Sequence, residues 1–154
     1  MIERNEYLSK LISVKENGFP KIITGVRRCG KSYLLKEIYR NYLLNNGVLD
    51  SQIIIIELDD IRNVKYRNPY ELDKYIREKC SKNIMNYIFI DEIQLVTPII
   101  NPLYTNGKYV LANKNDKDVI TFVEVVLGLS REKNIDIYAT GSNSKMLSSD
   151  VITQ

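Results

Sequence analysis

Gly25, Gly30, Lys31 and Ser32 stand at the spacing GxxxxGK[ST], and each residue type has a chemical use there. Glycines let a backbone curl until its N–H groups converge on phosphate oxygens, beside the positive end of the helix that follows. A lysine at this position reaches the β- and γ-phosphates, and a serine hydroxyl binds Mg²⁺. Val26, Arg27, Arg28 and Cys29 lie between the glycines, and Tyr33 follows Ser32; all five would line the same ligand. A redox reading competes, because Cys29 among cations near a helix start would have a lowered thiol pKa. No base accompanies that thiol, and the intervening positions of a phosphate loop work through their backbone. Cys29 reads as a small filler, and the loop as a phosphate holder.

A second constellation lies in "YIFIDEIQ", residues 87–94, where a buried strand ends in two acids. Asp91 would hold Mg²⁺, through water, completing the cation site begun by Ser32. Glu92 would orient or deprotonate the water that attacks a γ-phosphate. A second carboxylate of this kind favours hydrolysis over transfer to another substrate. The third piece is "IDIYATGSNSKMLSSD", residues 135–150, a strand ending in polar residues at the edge where open α/β sheets bind ligands. Asn143, or Ser142 beside it, would meet the γ-phosphate or the water; alone, Gly-Ser-Asn is ordinary turn chemistry. Glu57, Asp59 and Asp60 end another strand, as communicators with Glu92 or as acids facing water. Arg4 and Tyr7 are candidates to flank an adenine, against a core-packing role for Tyr7.

Strands and helices must alternate to hold these residues. Tyr7, Leu8, Leu11 and Ile12 share one face of a helix over 3–15, and Gly18 and Pro20 end it. "KIIT" (21–24), "QIIIIEL" (52–58), "YIFID" (87–91) and "IDIYAT" (135–140) read as buried strands. Helices are predicted from Lys31 to about Leu44, from Asn68, Pro69 and Glu71 to about Lys82, and over 118–133. Such alternation implies right-handed crossovers and a parallel sheet. The stretch 97–118 is long and polar for a connection, and reads as a partner-facing insertion.

Composition narrows the classes. The chain has 154 residues, 44% hydrophobic and 27% charged, enough for one domain with a core. It lacks histidine, which removes Ser/His, Cys/His and His–metal chemistry. Cys29 and Cys80 have neither zinc nor disulfide spacing, a usage that points to the cytoplasm. The net charge of +3 is mild and interleaved, so nucleic acid is a partner without specific support. No apolar run is long enough to cross a membrane.

Together "GVRRCGKS", "YIFIDEIQ" and "DIYATGSNSKMLSSD" resemble the bacterial and archaeal AAA-type ATPases that carry a C-terminal domain of unknown function. The opening "RNEYLSKLISVKENG" is similar to their N-terminal segment. The resemblance implies an α/β P-loop NTPase sandwich with parallel strand order 5-1-4-3-2. It implies a helix and linker over 1–18, the ATPase core over 19–154, and ATP and Mg²⁺ as ligands. It places Walker A on Gly25 to Ser32, Walker B on Asp91 and Glu92, and sensor 1 on Asn143 or Ser142. The family continues beyond "VITQ" into a fifth strand, an arginine and a C-terminal half. The expectation is therefore a sheet lacking its fifth strand, a bare edge on the first strand, self-association and slow turnover. Beside ATP hydrolysis coupled to conformational change stand three rivals: a nucleotide-binding fragment without turnover, a P-loop kinase and a nucleic-acid-binding module.

Overall fold

The computed structural model describes residues 2–24, 30–142 and 151–153. Helix α1 (Ile2–Ser13) precedes the short strand β1 (Lys21–Ile23). Helix α2 begins at Lys31–Tyr33, widens into a π-helical stretch over Leu34–Tyr39, and closes at Arg40–Asn45. Then follow β2 (Ile53–Glu57), α3 (Pro69–Lys79), β3 (Asn86–Asp91), β4 (Ile99–Ile100), β5 (Val119–Ile120), α4 (Phe122–Ser130), β6 (Ile135–Thr140) and β7 (Val151–Thr153).

Five of these strands form one sheet in the order β2-β3-β6-β1-β7, all parallel. Apolar residues on both faces of the strands require a layer on each side. On one face Ile54, Ile56, Ile88, Ile90, Ile137 and Ala139 pack with Leu72 and Ile76 of α3 and Val126 and Leu129 of α4. On the other, Tyr87, Phe89 and Tyr138 pack with Leu11 of α1 and Leu34, Leu35, Tyr39 and Leu43 of α2. The result is a three-layer α/β sandwich whose central strands β3 and β6 are buried along their whole length.

The expectation of a missing fifth strand is corrected. Val151–Thr153 pairs in parallel with β1 on the side away from β6, with Ile22 opposite Val151 and Ile23 opposite Thr153. β1 therefore has a neighbour on each side, and Ile22 and Ile23 are buried. One helix boundary also moves. The helix expected over 118–133 starts later, because Thr121 and Glu124 form a capping box. Val119, placed on that helix by periodicity, instead pairs with Ile100 across the antiparallel β4–β5 ribbon. The stretch 97–118 is thus anchored at its base by two strands, with Leu103, Tyr104 and Leu111 exposed along it.

At the N-terminal end of the sheet, Lys21 of β1 pairs with Asp136 of β6, with 2% of each side chain exposed. The ammonium also donates to Asn17 Oδ1 at 3.0 Å and lies 4.9 Å from the centre of the Tyr138 ring. The Asp136 carboxylate accepts from the Tyr138 hydroxyl and from the Glu16 N–H at 2.9 Å. Every charge in this group has a partner, as burial demands. Removing one partner leaves the other charged and dry. Asp136→Ala is expected to cost about 3–5 kcal/mol in urea unfolding, and a Lys21→Met/Asp136→Leu double variant is expected to recover most of it.

Candidate functional site

The C-terminal ends of β1, β3 and β6 lie side by side, and α2 starts beneath them. Gly30, immediately before α2, has φ 74° and ψ 28°, a left-handed conformation that glycine adopts without the clash of a Cβ. Lys31 is 8% exposed and its Nζ donates to the Gly141 carbonyl beyond β6 at 3.1 Å. The Gly141 N–H donates in turn to the Ile23 carbonyl at 3.1 Å, which fixes that carbonyl beside the end of β1.

Asp91, at the end of β3, is the meeting point. Ser32 donates its hydroxyl to Asp91 Oδ2 at 3.0 Å, and Thr140 donates its hydroxyl to Asp91 Oδ1. Lys36, one turn beyond Ser32, places Nζ 3.4 Å from the same Oδ2 and also pairs with Glu57. Burial alone would lower the ammonium's pKa. The Glu57 hydrogen bond and the charges of Asp91 and Glu57 outweigh it and hold Lys36 above its ordinary value.

Glu92 departs from the strand at φ 62° and ψ 52°, a left-handed conformation uncommon for a residue with a Cβ and found where surroundings over-determine it. Those surroundings are visible. The Glu92 N–H donates to Thr140 Oγ1 at 3.1 Å, and Gln94 Nε2 donates to Glu92 Oε1 at 2.6 Å. Gln94 Oε1 accepts the Ser142 N–H at 3.2 Å, so one amide joins Glu92 to the segment leaving β6.

Lys31, Ser32, Asp91, Glu92 and Ser142 are therefore gathered at one edge of the sheet. Gly25, Val26, Arg27, Arg28, Cys29 and Asn143 lie outside the described residues. Tyr33 is half exposed on α2. Tyr7 packs with the α1–α2 core, as core packing would have it. Glu57 meets Lys36 and not Glu92, while Asp60 caps the turn after β2 and pairs with Arg62. Sequence reasoning passed over Lys36, Thr140 and Gln94. Lys36 had a usable signal, its i+4 spacing from Ser32 on a helix. Thr140 follows Ala139, the register partner of Ile90, which brings it level with Asp91. Gln94 had none, since only the left-handed turn at Glu92 brings its amide back.

The description of an AAA domain matches residues 17–154. The chain is a member of the AAA domain family. This places an AAA-type, ATPase-like domain over nearly all of its length. An uncharacterized protein of Haemophilus influenzae is 32% identical over 154 residues, 99% of this chain. The chain spans about a third of that relative's length (32%). Among the described residues, no helix is long and apolar enough to cross a membrane.

The hydroxyl of Thr140 serves both Asp91 and Glu92 of this AAA domain, accepting from the Glu92 backbone and donating to the Asp91 side chain. Thr140→Val keeps the volume and removes that hydroxyl. It is expected to lower stability by about 1–3 kcal/mol in denaturant unfolding, whereas Thr140→Ser stays close to the parent protein.

Proposed function

We propose that this chain binds ATP with Mg²⁺ at the edge formed by β1, β3 and β6, and that it is an ATP hydrolase. One observation carries the reading: the hydroxyl of Ser32, directly after the glycine–lysine pair, meets Asp91 Oδ2 at 3.0 Å from a different element. A serine and a carboxylate so placed fit a cation that takes few protein ligands and fills its remaining positions with phosphate oxygens and water. Ser32 and Asp91 offer two oxygen donors from different elements, a set that suits a Mg²⁺·phosphate complex completed by water. Bound there, Mg²⁺ would neutralise phosphate charge and draw electrons from the γ-phosphorus.

The chain's own residues divide the remaining work. Backbone N–H groups of Gly25 to Ser32 would cradle the phosphates. Lys31 would exchange the Gly141 carbonyl for the β- and γ-phosphate oxygens. Glu92 would take the proton of the attacking water, with Gln94 occupying Oε1 and leaving Oε2 for the water. Asn143 or Ser142 would report on the γ-phosphate, and Ser142 already touches Gln94. Coupling of this cycle to conformational change belongs to a longer protein, and the cytoplasm is its proposed location.

Two substitutions separate binding from chemistry. Lys31→Ala is expected to remove ATP binding in calorimetric titration while circular dichroism shows the fold intact; unchanged affinity would refute the phosphate-loop assignment. Glu92→Gln is expected to keep ATP bound and to lower kcat by about 10²-fold or more. Normal phosphate release from that variant would show that another group activates the water.

A further inference from the structure

We propose that Lys36 is the resident counter-ion of Asp91, standing beside the oxygen that Ser32 also meets until a divalent cation arrives, and then withdrawing onto Glu57. The proposal rests on the reading that Ser32 and Asp91 hold Mg²⁺.

Ser32 and Lys36 lie one turn apart on α2 and address the same atom, Asp91 Oδ2, at 3.0 and 3.4 Å. An ammonium and a dication beside one carboxylate would repel each other, so occupation by one opposes the other. Lys36 has somewhere else to go. It already pairs with Glu57, the residue opposite Asp91 in the β2–β3 register. Exposure is graded in the direction of that move: the side chain of Asp91 is 11% exposed, that of Lys36 26% and that of Glu57 41%. A lysine that gives up Asp91 and keeps Glu57 therefore moves toward water, on a flexible four-carbon stem. Asp91 thus has a cation beside it in both states, and is spared a period as an uncompensated, nearly buried carboxylate.

The test is Mn²⁺ titrated into the nucleotide-free protein and followed by electron paramagnetic resonance of the free ion. Lys36→Met is expected to bind Mn²⁺ about tenfold or more tightly than the parent protein, since a competing charge is gone. Lys36→Arg, which keeps the charge, is expected to bind close to the parent. Adding Asp91→Asn to Lys36→Met should abolish the gain. Thermal unfolding gives a readout free of catalysis: metal-free Lys36→Met melts below the parent, and Mn²⁺ raises its midpoint by more than it raises the parent's. Lys36→Gln replaces the methionine variant if that one does not fold. A folded Lys36→Met or Lys36→Gln protein with unaltered Mn²⁺ affinity would overturn the proposal, as would a gain that survives Asp91→Asn. The underlying metal reading fails separately, if Asp91→Asn leaves Mn²⁺ affinity unchanged in the presence of ADP.

Discussion

One carboxylate ties four elements together. Asp91 ends β3 and receives Ser32 and Lys36 from α2, Thr140 from β6 and, through Lys36, Glu57 from β2. A carboxylate so nearly buried is tolerable because donors reach both of its oxygens. The same donors fix where α2 begins relative to the sheet, and hence where Lys31 stands against Gly141. Side chains from elements far apart in sequence are therefore set by contact with a common atom pair. Under the proposed reading, that pair is also what a metal ion would address.

The opposite end of the sheet is built differently. There Lys21 and Asp136 are paired out of water, and Tyr138 and Tyr39 share a hydroxyl contact of 2.6 Å above them. Burial raises the pKa of both phenols, so they remain neutral donors and acceptors at any ordinary pH. Tyr39, Phe89 and Tyr138 pack at tilted and edge-to-face angles into one aromatic group between α2 and the sheet. Dry, fully matched contacts at this end hold α2 and β6 rigidly. The proposed chemistry falls at the other edge, where Asp91 and Glu92 are held by single side-chain contacts from several elements.

Much of this arrangement was legible in the sequence. The apolar runs of β2, β3 and β6 announced a sheet covered on both faces, and Asn68 and Pro69 marked the start of α3 where the structure has it. Ser32, Asp91 and Glu92 were legible because glycine spacing and acids after a buried run are local patterns. What failed was non-local. Val151–Thr153 is too short to announce itself and is a strand only because β1 offers it an edge. Val119 fitted a helical period but was claimed by pairing with Ile100. Thr140 and Gln94 look like any strand-end hydroxyl and any polar residue until the fold brings them to Glu92.

Glu92 is joined to the end of β6 by a carboxamide, while Asp91 is joined to α2 partly by an ammonium. These two links obey different rules. An ion pair weakens as salt is added, through screening. The amide of Gln94 carries no charge and no titratable proton of its own, so its link from Glu92 to Ser142 depends first on geometry. It can pass on only where Ser142 sits, as a displacement. The two acids of the site are thus held by different means, one partly through a long-stemmed ammonium and the other through the position of Ser142.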